Sequence, residues 1–241
     1  MKYVLDMHTH TLMSGHGYNT ICEMARAANL AGLQALGITE HGPSIPGACN
    51  EIYFKNYWVV DRRIDDVELF LGAEMNITDY DGRLDLSPST QRTLDVGIAG
   101  IHNGFYTVGT KAENTRAYIR TIENPCIDII SHPDDGRIPV DYEQLVRAAR
   151  DFRVLLELNN SSLAPRSARR DGHCADNMKR MLEQCAKHGV RVILGSDAHW
   201  HGHVGKFGAV EAIVREADFP EALIVNSSLD VLKSYLSRNR G

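Results

Sequence analysis

The sequence predicts an α/β barrel close to the (β/α)8 type, one unit short or distorted. Short apolar runs rich in β-branched residues recur about every thirty residues, each continuous rather than alternating, as in parallel strands covered on both faces. Stretches with helical spacing lie between them, and this alternation favours right-handed crossovers and a parallel sheet. The length of 241 residues suits one such barrel. An open doubly wound sheet is the alternative.

The predicted elements follow each other along the whole chain. The predicted strands are Tyr3–Asp6, Ala35–Thr39, Leu69–Glu74, Val96–Ile101, Ile127–Ser131, Val154–Leu158 and Val192–Ser196. The predicted helices are Ile21–Ala31, Lys111–Glu123, Asp141–Asp151, Asp176–His188 and Leu229–Arg238. Gly32 and Gly189 follow two of these helices, and glycine tolerates the left-handed backbone at a helix end. No linker or break in composition divides the chain, which predicts one domain over residues 1–241.

Composition excludes several classes of protein. A 43% apolar content argues against disorder, and no run reaches the roughly 18 apolar residues that span a bilayer. Asp6 comes too early for a signal peptide, so no membrane or export route is expected. A net charge of -5 argues against a broad nucleic-acid surface. Five scattered cysteines without a CxxC pair suit the reducing cytoplasm.

Histidines and carboxylates follow almost every predicted strand. They are Asp6, His8, His10, His41, Glu74, His102, His132, Asp197 and His199. The carboxyl ends of barrel strands open onto one face, where active sites are built. A structural histidine at one strand end would mean little, but coincidence at six strand ends predicts a common site on that rim.

The local spacings indicate a metal site. Side chains alternate along an extended segment, so Asp6, His8 and His10 share one side. Asp197 and His199 repeat this spacing after the last strand, which neighbours the first strand in a barrel. Imidazole nitrogens and carboxylate oxygens suit Zn²⁺, Mn²⁺ or Fe²⁺.

At this point the chain resembles the PHP (polymerase and histidinol phosphatase) superfamily, in its YcdX-like metal-dependent phosphatase branch. The segments that carry the resemblance are Asp6-Met-His8-Thr-His10, His16, Glu40-His41-Gly42, Gly72-Ala-Glu74, Gly100-Ile-His102, Ser131-His132-Pro133 and Gly195-Ser-Asp197-Ala-His199. Glu157-Leu-Asn159-Asn160-Ser161-Ser162 and Glu74-Met-Asn76-Ile77 look like the branch itself. The likeness runs from Val4 to about Ser228.

The resemblance implies a distorted TIM-like (βα)7 barrel with three divalent metal ions, Zn²⁺ above all, with Mn²⁺ or Fe²⁺ as alternatives. The first ion would bind His8, His10, Glu74 and Asp197. The second would bind Glu74, His102 and His132, with Glu74 bridging the pair. The third would bind His16, His41 and His199. Asp6 is expected to orient a ligand imidazole without binding metal itself, with direct ligation as the alternative.

The expected chemistry is hydrolysis of small phosphomonoesters by a metal-bound hydroxide. Glu74, Asp197 and His199 are the expected catalytic residues. Three divalent ions and two carboxylate ligands leave a net charge of about +4, which attracts a phosphate dianion, or sulfate in its place. The resemblance also implies a homo-oligomer, a trimer.

Residues beside the expected site have two readings each. Arg166, Arg169 and Arg170 could hold a second anionic group of the substrate or form a solvated loop. His201 and His203 form another HxH pair, which is more typical of a mobile rim loop. Cys174 to Arg180 matches the Cys-x5-Arg pattern of cysteine-dependent phosphatases, but the segment lacks an internal glycine and continues with helical spacing. It predicts an inert thiol.

Other functions stay open on the sequence alone. A PHP-type metallonuclease is one alternative, against which the lack of a basic stripe counts. A non-catalytic regulatory module that binds metal is another. An amidohydrolase would normally place a lysine at a strand end, and no predicted strand ends in lysine.

Overall fold

The computed structural model describes residues 1–167, 169 and 173–236. Seven parallel strands form a nearly closed barrel, in which each strand pairs with the next parallel strand along the chain. The strands are β1 (Leu5–Asp6), β2 (Ala35–His41), β4 (Val67–Asn76), β5 (Val96–Gly100), β6 (Ile129–Ile130), β7 (Leu155–Asn159) and β8 (Val192–Gly195), with the short β3 (Arg63–Ile64) antiparallel to β4. The predicted seven-stranded α/β barrel is confirmed, and the open doubly wound sheet is wrong.

Helices connect the strands on the outside. They are α1 (Ile21–Leu30), α2 (Glu51–Lys55), α3 (Pro88–Gln91), α4 (Lys111–Ile122), α5 (Tyr142–Phe152), α6 (Cys174–His188), α7 (Gly208–Glu216) and α8 (Leu229–Leu236). Thr20 and Thr110 begin α1 and α4 with capping boxes, in which each threonine and a glutamate bond each other's backbone N–H. Gly189 ends α6 at a φ of 65°. No helix of the described chain is long and apolar enough to cross a membrane.

All five predicted helices are present, and the described residues form three further α-helices that were not predicted. The helices α2 and α3 are too short to show a 3.6-residue period. The helix α7 begins at Gly208 without a side-chain cap, so its sequence carries no start signal. Residues 237 and 238 of the predicted last helix lie outside the described residues.

Alternate residues of the strands lead from apolar side chains at one end of the barrel to polar side chains at the other. The polar end, at the carboxyl ends of the strands, is called the mouth. Phe70, Leu155 and Ile193 belong to a buried cluster that α8 joins through Leu232 and Leu236. Side chains two positions apart share a face of a strand. The same faces of β4, β7 and β8 therefore continue upward to Glu74, Glu157 and the segment that carries Asp197.

The barrel closes at a seam between its first and last strands, β1 and β8. Above the seam, backbone N–H groups donate from His10 to Ala198 O at 2.9 Å and from Asp197 to His8 O at 2.9 Å. Lower down, the buried Asn226 side chain joins the two strands.

The amide of Asn226 bonds both strands at once. Its Nδ2 donates to Leu5 O at 3.1 Å and to Leu194 O at 2.8 Å, and its Oδ1 accepts from Leu194 N at 2.7 Å. One side chain thus satisfies backbone groups of β1 and β8. In a regular sheet, hydrogen bonds between the two backbones would satisfy these groups.

Candidate metal centre

Glu74 lies at the centre of the barrel mouth, and its two oxygens face different imidazoles. Its Oε2 lies 3.3 Å from His8 Nε2, 3.5 Å from His10 Nε2 and 2.9 Å from His41 Nδ1. Its Oε1 lies 2.8 Å from His132 Nε2 and 3.4 Å from His102 Nε2. The structure therefore brings imidazoles from five separate positions in the chain together around one carboxylate.

 Counted along the sequence, His8 is the most distant of these side chains, 66 positions before Glu74, and His102 is the nearest, 28 positions after it.

Asp197 and His199 complete the opposite side of the mouth. Asp197 Oδ1 lies 3.3 Å from His10 Nε2 and 3.7 Å from His8 Nε2. The His199 ring stacks on His10 at 4.2 Å, and the more exposed His16 stacks on His199 at 4.4 Å. All nine predicted side chains thus surround one mouth, with His16 at its outer edge.

Three groups of these side chains are compact enough to hold an ion. In each group the ligand atoms lie within 4.8 Å of one another: His8, His10 and Asp197; His41, Glu74 and His102; His10, His41 and His199. The first group agrees with the expected first site. In the other two, His41 and His10 lie between the expected sites, so the partition among ions stays a prediction.

The orientation of the imidazole rings provides a test of whether cations fit. His8 Nδ1 lies 2.7 Å from Glu157 Oε1, an acceptor, so this nitrogen carries the proton. His10 Nδ1 lies 2.9 Å from Ser14 Oγ, whose own proton goes to Glu40 Oε2 at 2.6 Å. His10 Nδ1 must therefore donate as well.

The two Nε2 atoms consequently present lone pairs to a common point. They lie 3.0 Å apart, a separation that requires either a shared proton or a cation. His41 Nδ1, although 2.9 Å from Glu74 Oε2, forms no hydrogen bond with the described residues, and neither does His199 Nε2. Buried ring nitrogens without partners are rare unless they bind a ligand, so the donor set fits divalent cations.

The carboxylates of the mouth remain ionised despite their burial. Burial alone would raise the pKa of Glu74, but its electrostatic interactions with the imidazoles of His8 and His102 hold it well below its usual range. Burial opposes ionisation of Asp197 too, but His8, His10 and Arg169 hold its pKa well below the usual range. Two ionised carboxylates therefore face the imidazoles.

Two imidazoles show opposite effects of this environment. Burial disfavours the charged form of His8, yet the carboxylates of Glu157, Glu74 and Asp197 raise its pKa well above the usual range. Burial and the neighbouring imidazoles lower the pKa of His10 well below that range. The carboxylates around His8 therefore favour a positive charge beside its ring, from a proton or from a metal ion, whereas the adjacent ring of His10 stays neutral, as a metal ligand must be.

Glu157 supports the site in a way that the sequence analysis missed. Besides the bond to His8, its Oε2 accepts the backbone N–H of His132 at 2.9 Å. A Cβ at Gly195 would lie 1.8 Å from Glu157 Oε1, so the glycine makes room for this carboxylate. The sequence feature that could have indicated this role is a glutamate inside the otherwise apolar run of β7.

The expectation for Asp6 is wrong. Its carboxylate accepts backbone N–H groups of His8 at 3.4 Å, Ser196 at 3.2 Å and Gly205 at 2.9 Å. It therefore organises the backbone at the seam, whereas Glu157 orients the imidazole. The reason is that Asp6 ends β1 beside the β8 backbone, and the ring of His8 turns towards β7.

Two residues of the mouth have a left-handed backbone. His132 has a φ of 31° and Asp197 a φ of 53°, values that cost non-glycine residues on the order of 1–3 kcal/mol. Each lies two positions beyond the end of its strand, and the unusual φ takes its side chain out of the regular alternation. Strain at both positions is typical of functional sites.

The neighbouring arginines and histidines differ in their placement. Arg169 Nη2 donates to Asp197 Oδ2 at 2.6 Å, and the exposed Arg166 lines the cavity over the site. Arg170 lies outside the described residues. His201 and His203 form an exposed 3-10 helix.

Cys174 is a buried thiol at the start of α6. Its Sγ donates to Arg169 O at 2.8 Å, and burial raises its pKa to about 12. A protonated, enclosed thiol is a poor nucleophile, which agrees with the inert role that the sequence predicts.

Comparisons with known proteins agree with this architecture. The family model of the PHP domain matches residues 6–164. A protein named probable phosphatase from Clostridium novyi (strain NT) is 42% identical over 236 residues, which cover 98% of this chain and 95% of that protein.

Two solved structures share the fold at low sequence identity. One is histidinol phosphate phosphatase from Lactococcus lactis subsp. lactis, complexed with Zn, L-histidinol and phosphate, with a TM-score of 0.55, 16% identity and coverage of 90% of this chain and 95% of that chain. The other is a chain of an archaeal ribonuclease P with mature tRNA, with a TM-score of 0.60, 13% identity and coverage of 98% and 90%. The family match and the curated relative together show that this chain belongs to the PHP domain family.

Proposed function

We propose that this protein is a metal-dependent phosphatase that hydrolyses small phosphomonoesters at a site for three divalent cations. The observation that carries the proposal is the pair of Nε2 atoms of His8 and His10, 3.0 Å apart with both Nδ1 atoms engaged as donors. The name of the Clostridium novyi relative and the zinc and phosphate of the Lactococcus lactis structure support the same activity.

The side chains that would hold the cations are those of the mouth. They are His8, His10, His16, His41, Glu74, His102, His132, Asp197 and His199. A bound divalent cation supplies Lewis acidity and, for Zn²⁺, lowers the pKa of a water ligand to about 7. Zinc is proposed first, with Mn²⁺ or Fe²⁺ as alternatives, because the donor set is dominated by imidazole.

The chain itself orients these donors. Glu157 and Ser14 hold the Nδ1 protons of His8 and His10, which leaves both Nε2 lone pairs available. Arg169 holds the outer oxygen of Asp197, so that the inner oxygen faces the imidazoles. Glu74, Asp197 and His199 are proposed to be catalytic through the cations they hold.

The mouth is shaped for a small anionic substrate. The cavity above it measures about 570 Å³ and is lined by His16, His102, Asp197 and three arginines. Phosphoryl transfer requires mainly positioning and neutralisation of charge, and no nucleophilic side chain is needed.

Buried and free cysteines in the described chain agree with the cytoplasmic location that the sequence predicts.

The test combines metal analysis with substrate panels. Protein depleted of metal by a chelator should release no phosphate from phosphomonoesters, and Zn²⁺ or Mn²⁺ should restore release. Labelled DNA and RNA assayed in parallel should stay intact. Cleavage of nucleic acid would instead indicate the metallonuclease, full metal content without hydrolysis the regulatory module, and full activity without metal would exclude the proposal.

A further inference from the structure

The cavity above the metal centre has two walls of different character. The loops after β6 and β7, which are adjacent strands, contribute three arginines to one wall: Arg137, Arg166 and Arg169. The remaining lining includes the apolar side chains Ile45, Ile101 and Phe105. In a chain with a net charge of -5, this concentration of guanidinium groups sets the mouth apart from the surface.

Two of the three arginines are already paired with carboxylates. Arg169 donates to Asp197 Oδ2 at 2.6 Å. Arg137 donates through Nη2 to Asp135 Oδ2 at 2.6 Å and through Nε to Asp135 Oδ1 at 2.9 Å. Each carboxylate on this wall is therefore covered by a guanidinium.

Arg166 is the exception. It is exposed, and within residues 1–167, 169 and 173–236 its guanidinium forms no ion pair. Its positive charge is consequently the uncompensated one on this wall, and it lines the same cavity as His102 and Asp197.

We propose that Arg166 forms a second anion subsite, and that the substrate is a phosphomonoester carrying a second anionic group a few bonds from the phosphate ester. This inference rests on the proposed function for the position of the first phosphate. The planar fork of arginine matches carboxylate and phosphate oxygens, and the apolar side chains contact the carbon body between the two charges. Arg137, fixed by Asp135, adds positive potential beside the subsite.

The same arrangement disfavours a cationic substrate. A protonated amine in this mouth would meet the charge of Arg166 and find Asp135 and Asp197 already paired. An amino alcohol such as the histidinol bound by the Lactococcus lactis protein would carry such a charge. The substrate class therefore differs from that of the structural neighbour.

Equilibrium binding of phosphonates tests the subsite without turnover. Three ligands of equal length differ only at the far end: 3-phosphonopropionate, propylphosphonate and 3-aminopropylphosphonate. With Zn²⁺-loaded protein in a calorimeter, 3-phosphonopropionate should bind about tenfold more tightly than propylphosphonate, as one charge-assisted hydrogen bond contributes, and the amine should bind least. The preference should shrink as salt is raised.

Variants locate the preference in Arg166. Arg166→Gln should remove most of the difference between 3-phosphonopropionate and propylphosphonate, and Arg166→Glu should reverse the order of the acid and the amine. Arg147→Gln, on the exposed surface of α5, is the matched control and should keep the wild-type ratio. Equal binding of the three ligands by wild-type protein, or an unchanged ratio in Arg166→Gln, overturns the inference.

Turnover of the matching esters separates this inference from the proposed function. The esters are 2-phosphoglycolate, ethyl phosphate and phosphoethanolamine. Hydrolysis of all three with equal kcat/KM supports a phosphatase and overturns the anion subsite. A binding preference that depends on Arg166, without hydrolysis of any ester, supports the subsite and contradicts the phosphatase.

Discussion

Replacing Glu157 by glutamine should weaken metal binding while the barrel stays folded. The carboxylate of Glu157 accepts from His8 Nδ1 at 2.7 Å with one oxygen and from His132 N at 2.9 Å with the other. Glutamine has the same shape but only one acceptor oxygen. Its NH2 group must face one of these two donors.

Either orientation of the amide disturbs the site. If the NH2 group faces His8, the ring moves its proton to Nε2, the atom that points at the proposed cations. If it faces His132, the backbone N–H of a strained residue loses its acceptor. Loss of such an outer partner costs about 10- to 100-fold in metal affinity, or about 1.4–2.7 kcal/mol.

The assay is a competition for Zn²⁺ between the protein and a chromophoric chelator, with circular dichroism and thermal unfolding as folding controls. Glu143→Gln changes an exposed carboxylate on α5 and should keep wild-type affinity. Gly195→Ala should weaken binding as well, because its methyl group would displace the Glu157 carboxylate. Wild-type affinity and turnover in Glu157→Gln would refute the role assigned to this residue.

Four further results are expected. Glu74→Gln should abolish hydrolysis and lower the thermal midpoint only by the stabilisation that metal supplied; full metal content with wild-type turnover would contradict this. Iodoacetamide near neutral pH should modify the exposed Cys22 and spare Cys174, whose pKa burial raises to about 12, without loss of activity; peptide mass spectrometry checks the sites. Hydrogen bonds from a serine and a threonine hold the pKa of Glu51 at about 2, below its usual 4.5, so the stability it adds should be present above pH 4.5 and be lost as pH falls towards 2. The difference in free energy of unfolding between wild type and Glu51→Gln, on the order of 1 kcal/mol because the group is partly exposed, should vanish over that range in urea unfolding. Asn226→Ala should destabilise the barrel by about 3–5 kcal/mol in urea unfolding, because three buried backbone groups lose their partner, and a change below 1 kcal/mol would contradict its role at the seam.

The barrel and its mouth could be predicted because their signals are local. Continuous apolar runs show buried parallel strands, and a histidine or carboxylate after each run lies on the rim that all strands share. The same reasoning could not find α7, whose first residue is Gly208 and which lacks a side-chain cap. Helix formation there depends on packing against the barrel, which a local pattern does not contain.

The roles of the supporting residues could not be predicted, because they depend on directions within the folded site. Asp6 and Glu157 are both buried carboxylates close to His8, and the sequence does not show which of them its ring faces. The positive φ values of His132 and Asp197 alter the direction of these side chains, and the known enrichment of histidine and aspartate in that conformation is too weak to mark individual positions in a sequence. The partition of His10 and His41 among ions depends on the same geometry.

The seam between β1 and β8 has a consequence for how the protein matures. His8 and His10 follow the first strand, whereas Asp197 and His199 follow the last strand. Most of the chain has therefore been translated before both halves of the mouth exist. The closing contacts join residues that are far apart in sequence, and Asn226, which fastens them, is translated later still. The proposed ligand set is therefore incomplete until the segment with Asp197 and His199 has been translated, and we expect binding of the divalent cations to follow closure of the barrel. A chain that ends before Asn226 would carry every proposed ligand but lack the side chain that joins β1 to β8, so we expect it to hold a cation less tightly.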